Sequence, residues 1–188
     1  MIIVGVDEAG RGALIGNVVA AAVILPTEYD KKKIADSKSL SEQKREQYAD
    51  YIRHIAIDYA IGVASPAEID ERNIHHATLL AMRRAVQAIG SDYDEIWIDG
   101  KFTPNTDKPA TAFVKGDALH DCISAASILA KTYRDAELRE LDKKYPQYGF
   151  ANHKGYPTKA HKAAIYRYGI LPEHRKSYKT IKEFLAKK

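Results

Sequence analysis

The chain has 188 residues, of which 45% are hydrophobic and 29% are charged, a composition typical of one globular protein with a substantial core. No apolar run approaches the roughly 20 residues of a membrane-spanning helix, and the N-terminus starts directly with a strand pattern rather than a secretion signal. Cys122 is the only cysteine, which excludes a disulfide framework and indicates a reducing compartment. We therefore expect a cytoplasmic protein without a membrane segment.

Charge is distributed unevenly along the chain. Residues 1–138 carry 16 Lys and Arg against 21 Asp and Glu, a net charge of −5, whereas residues 139–188 carry 13 against 4, a net charge of +9. Aromatic residues lie among the C-terminal charges: Tyr145, Tyr148, Phe150, Tyr156, Tyr166, Tyr168 and Tyr178. This mixture is typical of a surface that binds nucleic acid, although a solvated helical face with half-buried tyrosines explains most of these residues individually.

The first predicted element is a β-branched strand over residues 2–6, and it ends at two adjacent carboxylates, Asp7 and Glu8. A buried charge is costly unless it is paired or bound to a metal, so packing explains this position poorly. The glycine turn, residues Gly10 to Gly12, follows and offers uncovered backbone N–H groups beside Arg11, which suits recognition of phosphate or ribose. A strand followed by a tight turn with an Asp cap is the alternative for this stretch.

A second apolar run over residues 18–25 predicts a hairpin with the first strand, because the connection between them is short. The next predicted element is a helix over residues 41–54, with Ser39 and Glu42 as its capping box. Ser37 and Lys38 stand just ahead of this helix, where a hydroxyl and an ammonium group suit a phosphate contact.

The middle of the chain predicts a third strand over residues 57–64 and two helices. Ser65, Pro66 and Glu68 form a strong helix start, and a longer helix is predicted over residues 75–89. The composition near the junction of these helices includes neighbouring His and Glu side chains, but no second pair follows at zinc spacing, so a surface or capping role is favoured there.

A further strand over residues 94–100 again ends in a carboxylate, Asp99, followed by glycine. A short strand over residues 111–114 leads to Asp117 and then to a helix predicted over residues 121–144. Asp117 and Asp121 both lie near the start of this helix, and by position either could face a site or cap the helix.

The C-terminal quarter predicts a loop over residues 145–156 followed by helices over 157–168 and 177–188. The order of elements indicates an α/β fold with a mixed sheet flanked by helices. We predict a catalytic core over residues 1–145 and a small basic helical extension over residues 146–188, packed on that core and binding substrate.

The strand-end carboxylates would form a concentrated anionic site if their strands are neighbours. Such a site is stable only when it is protonated or occupied by cations, and its oxygen ligands favour Mg²⁺ or Mn²⁺ over Zn²⁺. Two such ions activate water and stabilise the leaving oxygen in phosphodiester cleavage. A carboxylate cluster beside a basic region therefore predicts a nuclease.

The motifs GVDEAGRG, ADSKSLS, IDG, VKGD, ISAASILAKTYRD, YPQYGF, HKGYPT and HR-S occur in this order. Between Val4 and Tyr178 the chain closely resembles type 2 ribonuclease H, the bacterial ribonuclease HII group. The resemblance implies an RNase H-like fold. It also implies endonucleolytic cleavage on the 5′ side of ribonucleotides in duplex DNA and of the RNA strand of RNA–DNA hybrids, leaving a 3′-hydroxyl and a 5′-phosphate.

The resemblance also implies residue roles. The catalytic and metal-binding acidic residues are Asp7, Glu8, Asp99 and Asp117, which selects Asp117 over Asp121. Gly10, Arg11 and Gly12 match the turn that reads the ribose 2′-hydroxyl through backbone contacts, and Tyr156 matches the tyrosine that stacks on the following deoxyribose. The remaining matched substrate-binding positions are Ser37, Lys38, Ser124, Lys131 and Arg134, together with Ser127.

The departures from the family pattern are small: Ala13 replaces a usual proline and Ser39 a common second lysine. The arginine in the glycine turn disfavours the related type 3 enzymes, which carry lysine there. Two alternatives are a non-catalytic nucleic-acid-binding module and a nuclease restricted to continuous RNA–DNA hybrids. We expect a monomer.

Overall fold

The computed structural model describes residues 1–34 and 39–188. Within these ranges one sheet contains five strands, in the order β3-β2-β1-β4-β5. The strands are β1 Ile3–Ala9, β2 Val18–Ile24, β3 Asp58–Ala64, β4 Glu95–Asp99 and β5 Ala110–Phe113. Strand β1 pairs antiparallel with β2 and parallel with β4. The predicted hairpin and the mixed sheet are therefore confirmed.

Helices cover both faces of this sheet. They are α1 Glu42–Ile55, α2 Pro66–Arg72, α3 Ile74–Gln87, α4 Gly116–Leu119, α5 Asp121–Lys144, α6 Phe150–His153, α7 Lys159–Tyr168 and α8 Lys179–Ala186, with 3₁₀ helices at Lys31–Lys33 and Pro146–Tyr148. Across the described ranges, none of these helices combines the length and apolar character needed to traverse a bilayer.

The central strand β1 places alternate side chains in two different cores. Val4 and Val6 pack with α3 on one face of the sheet, whereas the opposite face packs against α1 and α5. A Cβ on Gly5 would lie 2.2 Å from the backbone carbon of Cys122, so glycine is what lets the start of α5 approach β1 this closely. Residues 5, 7 and 9 therefore point towards α5.

The helix caps confirm one sequence prediction and correct another. Ser65 and Glu68 form the predicted capping box of α2. The N-cap of α1 is Ser41, whose Oγ accepts a hydrogen bond from Lys44 N at 3.1 Å, so the predicted Ser39 capping box is wrong. Glu42 bonds instead with Arg139 and Lys154, a long-range alternative that local spacing could not indicate.

The C-terminal helices enclose part of the N-terminal loop. Ile15 packs with Leu138 and Phe150, and Leu14 packs with Ile165 and Phe184. The loop between β1 and β2 is therefore held between α5 and the C-terminal helices. A division of the chain at residue 145 stays a prediction.

Candidate active site

The predicted strand-end carboxylates lie at one edge of the sheet. Asp7 is near the end of β1 and Asp99 is the last residue of β4, and the pairing of Val6 with Ile98 sets them side by side on these parallel strands. Their positions in the strands direct both side chains to the face covered by α5. Glu8 follows Asp7 directly in β1 and adds a second carboxylate at this end of the strand.

Asp117 joins this edge through the turn between β5 and α4. Lys115 adopts a left-handed backbone with φ of 57°, which ends the extended segment and starts α4 at Gly116. The backbone N–H of Asp117 donates to Asp99 Oδ1 at 3.3 Å. Asp121 lies elsewhere, since it accepts a hydrogen bond from the Tyr29 hydroxyl at 2.7 Å beside a cavity that also contacts Met1. The structure thus groups Asp117, and not Asp121, with Asp99.

Burial makes the charge on this edge unfavourable. Asp7 is 5% exposed, and burial, followed by the charges of Glu8 and Asp99, raises the pKa of its carboxyl well above the usual range. Burial also raises the pKa of Glu8, opposed by its hydrogen bond with Asp7 and by the charge of Arg11. A cation at this edge would relieve both effects.

The donor set fits a hard divalent cation that is shared with substrate. In the part of the chain that the structure describes, no three Asp, Glu, His or Cys side chains already form a metal-binding cluster. Mg²⁺ is usually held by one or two carboxylates together with substrate phosphates rather than by an all-protein cage. Carboxylate oxygens on two adjacent strand ends match this kind of site.

The glycine turn lies directly beside these carboxylates. Gly10 has φ of 90°, and a Cβ there would come within 2.3 Å of Arg134 Nε, so both the backbone conformation and the close approach require glycine. Arg11 and Gly12 are exposed. A Cβ on Gly12 would lie 3.8 Å from Tyr156 Cε1, so the tyrosine ring borders the open side of the turn.

Tyr156 is 40% exposed and is supported from beneath by Arg134. The Arg134 guanidinium lies 5.1 Å from the centre of the tyrosine ring, and its Nη2 donates to Lys154 O at 2.7 Å. Arg134 itself is only 2% exposed. Its burial favours support of Gly10 and Tyr156 over direct substrate contact.

A cavity of about 250 Å³ opens next to this tyrosine, and it is lined by Ala9, Arg45, Lys131, Arg134, Asp135, Lys154 and Tyr156. Arg45 donates to Asp135 at 2.8 Å across it. The half-buried Lys131 and the buried Arg134 are the residues of the predicted α5 set that line this space together with Tyr156. The cavity places basic side chains beside the carboxylate edge.

The predicted serines have different surroundings. Ser124 is buried, and its hydroxyl donates to Ile34 O at 2.7 Å, so it fixes the chain just before the segment that contains Ser37 and Lys38. Ser127 is also buried. Ser37 and Lys38 lie outside the described residues. Burial of Ser124 and Ser127 favours packing over substrate contact.

Arg175 is a residue of this site that the sequence reasoning missed. It is fully buried; its Nε donates to Gly16 O at 2.9 Å, and its Nη1 donates to Arg11 O at 3.1 Å and Ala13 O at 2.8 Å. Tyr178 donates its hydroxyl to Arg11 O as well. The HR-S motif contains Arg175, but nothing in its local pattern shows that a guanidinium will bind carbonyls of the N-terminal loop.

Backbone contacts join the two sides of the site directly. Leu14 N donates to Gly155 O at 2.9 Å, and Arg175 N donates to Leu14 O at 2.8 Å. The loop that carries the glycine turn is therefore bonded both to the residue before Tyr156 and to the segment around Arg175.

Comparisons with known proteins identify the family of this chain. A family model described as Ribonuclease HII matches residues 4–181. The chain is 53% identical over 182 residues to a Ribonuclease HII from Shewanella halifaxensis, covering 97% of this chain and 90% of that protein.

Solved structures show the same fold. The ribonuclease H2 from Pyrococcus horikoshii has a TM-score of 0.85 at 27% identity, with 100% of this chain and 98% of that chain covered. The RNase HII from Archaeoglobus fulgidus, solved in a complex with PCNA, has a TM-score of 0.77 at 26% identity, with 97% and 96% covered. Sequence and fold agree, and the chain belongs to the ribonuclease HII family of type 2 RNase H endonucleases.

Proposed function

We propose that this protein is a metal-dependent endonuclease that cleaves on the 5′ side of ribonucleotides embedded in duplex DNA and cleaves the RNA strand of RNA–DNA hybrids. One observation carries the proposal: the carboxylate edge formed by Asp7, Glu8, Asp99 and Asp117 adjoins the glycine turn and the exposed ring of Tyr156. Groups suited to breaking a phosphodiester thus adjoin groups suited to inspecting a sugar.

Asp7, Glu8, Asp99 and Asp117 would hold the divalent cations next to the scissile phosphate. Mg²⁺ or Mn²⁺, two ions with substrate bound, would supply an activated water and stabilise the departing 3′-oxygen, which gives 3′-hydroxyl and 5′-phosphate products. Asp7 and Asp99 provide ligands from rigid adjacent strands. Asp117 is kept at the same edge by its backbone bond to Asp99.

The glycine turn selects the sugar. Arg11 and Gly12 are exposed and offer backbone N–H groups from which a 2′-hydroxyl can accept, so a deoxyribose leaves such a contact unmade. The Tyr156 ring stacks on the sugar that follows the ribonucleotide. Because the turn and the carboxylates belong to one continuous segment, residues 7–12, recognition of the sugar fixes which phosphate is cut.

The basic side chains hold the duplex. Lys131 contacts a backbone phosphate from the cavity beside Tyr156, and Ser37 and Lys38 contact another. Residues 146–188 form the basic substrate-binding extension of a core that ends at residue 145. The protein acts as a monomer on these substrates.

The proposal is tested by replacing one carboxylate and comparing it with a matched acid outside the edge. Asp99→Asn removes a ligand charge at the strand end, so cleavage in the presence of Mg²⁺ falls by at least about a hundredfold while duplex binding is retained. Asp121→Asn, which can still accept from Tyr29, is the control and keeps cleavage. Near-normal turnover of Asp99→Asn would refute the assignment of this edge.

Substrate choice is tested with two duplexes, one with a single ribonucleotide and one with a continuous RNA strand. We expect cleavage of both, with the cut mapped to the 5′ side of the single ribonucleotide. Loss of all cleavage on adding a chelator separates the nuclease from a non-catalytic binding module. Cleavage of the continuous hybrid alone would replace the proposal with a hybrid-restricted nuclease.

A further inference from the structure

A buried histidine network lies behind Tyr156. His161 and His174 are fully buried, and their Nε2 atoms are 2.9 Å apart. His161 Nδ1 is 3.1 Å from Tyr156 O, and Leu171 N donates to His174 Nδ1 at 2.8 Å. His153 stacks on His161 with 4.5 Å between ring centres.

The partners of these rings assign one direction to the whole chain of hydrogen bonds. A carbonyl only accepts, so His161 Nδ1 carries the proton and its Nε2 is an acceptor. The Leu171 N–H only donates, so His174 Nδ1 is an acceptor and its Nε2 carries the proton. The bonds therefore run from Leu171 through His174 and His161 to the Tyr156 carbonyl, and every ring nitrogen has a partner of the correct kind.

The environment keeps both rings neutral, as this direction requires. Burial lowers the pKa of His161 to about 4 and that of His174 to about 3, with His153 adding a smaller effect on each. A proton added to His161 would set two N–H groups against each other across the 2.9 Å contact, and a proton added to His174 would set its Nδ1–H against the N–H of Leu171. The network is consequently a fixed connection at neutral pH.

His174, which belongs to the network, and Arg175 are consecutive residues that connect to the two sides of the site. His174 reaches the Tyr156 carbonyl through His161, while Arg175 binds the carbonyls of Arg11 and Ala13. Thr158 N also donates to Tyr156 O at 2.8 Å, but that bond closes a local turn and does not connect Tyr156 with residue 174. Residues 174 and 175 thus connect the tyrosine with the glycine-turn loop, in addition to the direct bond from Leu14 N to Gly155 O.

We propose that His161 and His174 are positioning residues, which hold Tyr156 at the distance from the glycine turn at which a ribonucleotide followed by a deoxyribonucleotide is selected. The inference rests on the proposed function, because it assigns a task to the same site. It predicts that the hydrogen bond to the Tyr156 carbonyl controls substrate choice more than it controls turnover.

Two substitutions of His161 distinguish the effect of its hydrogen bond to Tyr156 O from the effect of its hydrogen bond to His174. In His161→Asn the amide nitrogen takes the place of Nδ1, so the donor to Tyr156 O is retained and the bond to His174 is lost. In His161→Gln the amide takes the place of Nε2, so a partner for His174 is retained and the donor to Tyr156 O is lost. Both variants remove the same buried ring, so general loss of packing affects them alike.

The measured quantity is the ratio of kcat/KM on the duplex with one ribonucleotide to kcat/KM on the continuous hybrid. We expect His161→Gln to lower this ratio about tenfold, as expected when a buried hydrogen bond is lost, and His161→Asn to keep it within about twofold of wild type. Tyr156→Ala lowers the ratio too, and adding His161→Gln to it changes the ratio no further, because the histidine acts through the tyrosine.

The outcomes distinguish failure of the inference from failure of the proposed function. Equal ratios for the Asn and Gln variants, or effects of His161→Gln and Tyr156→Ala that multiply, overturn the positioning role alone. A Tyr156→Ala variant with an unchanged ratio overturns the positioning role together with the stacking role of Tyr156, whereas the proposed function itself fails if the wild type cleaves neither duplex. Should His161→Gln not fold, a nitrogen–nitrogen coupling across the two Nε2 atoms in wild-type NMR spectra is expected, and its absence overturns the network.

Discussion

At the residue scale, the proposed role of Asp7 in binding cations contrasts with the unfavourable effect of its burial on the cation-free fold. Its carboxylate is buried beside Glu8 and Asp99. A raised folded-state pKa means that its contribution to stability is present below the unfolded-state pKa and is lost as pH rises through the folded-state value. At neutral pH in a chelator, the burial of Asp7 beside two other carboxyl groups therefore lowers the free energy of unfolding.

Asp7→Asn is expected to stabilise the cation-free protein at neutral pH by about 1–2 kcal/mol, because the amide removes the buried charge and still accepts from Glu8 N. Urea unfolding in EDTA measures this change. Asp58→Asn is the control and is expected to lower the free energy of unfolding. The Asp58 carboxylate accepts from Ser91 N and Gly90 N, and these hydrogen bonds lower its pKa. A less stable Asp7→Asn variant would contradict the prediction.

The sequence predicted the position of single residues in the fold where a local rule applied. A charged side chain at the end of a buried strand is unusual enough to identify Asp7 and Asp99. Burial of Ser124 and Arg134 could not be predicted, because their positions on α5 do not show which face the chain segments at 34 and 154 will cover.

At the scale of elements, the segment after α7 connects the C-terminal region with the N-terminal loop. Arg175 donates to carbonyls of that loop at three residues, and Tyr178 donates to one of the same carbonyls. Arginine suits this position because its planar group presents several donors in fixed directions. Lysine would carry the same charge with a single nitrogen.

Arg175→Lys is expected to lower the free energy of unfolding by about 3 kcal/mol, because buried carbonyls lose their donors. The measurement is urea unfolding at neutral pH. Lys176→Gln, a change of the exposed neighbouring side chain, should alter stability by less than about 0.5 kcal/mol. Equal effects of the two substitutions would exclude the role of the guanidinium.

Element boundaries show where pattern alone was sufficient. The helix predicted over residues 121–144 agrees with α5. Small and apolar residues recur along it, and an acidic residue in its first turn and two lysines in its last turn indicate where it begins and ends. The prediction of Ser39 as the N-cap was wrong because two serines stand near the start of α1. The capping box required Glu42 to bond back to Ser39, but Glu42 bonds with distant side chains instead.

At the scale of the whole molecule, the uneven charge predicts how binding responds to salt. Residues 139–188 carry a net charge of +9, and Lys159 at the start of α7 is exposed close to the Tyr156 turn. Phosphate contacts release counterions, so affinity falls as the salt concentration rises.

Lys159→Gln should make the slope of log affinity against log salt shallower by about 0.9, the value for one phosphate contact. Fluorescence anisotropy with the non-cleaving Asp99→Asn variant and a ribonucleotide-containing duplex measures the slope. Lys108→Gln, at an ion pair with Asp92 outside the basic region, should leave it unaltered. A slope that does not respond to Lys159 would remove α7 from the binding surface.

Global topology was only partly predictable from the sequence. The alternation of strands and helices indicated the mixed sheet, but the pairing of β1 with β4 joins residues about ninety positions apart, and no local pattern specifies such a partner. The convergence of the carboxylates depends on this pairing. The expectation that these carboxylates form one site came from the resemblance to a known family rather than from the strand patterns.

The contacts between the glycine-turn loop and residues 173–178 also determine when the site can form during synthesis. The sheet strands all precede residue 114, so a growing chain can assemble them early. The donors to Arg11, Ala13 and Gly16 emerge from the ribosome more than 150 residues later. A nascent chain therefore has the carboxylates of β1 and β4 before its glycine turn is fixed, and the site described here is complete only after residue 175 has been synthesised.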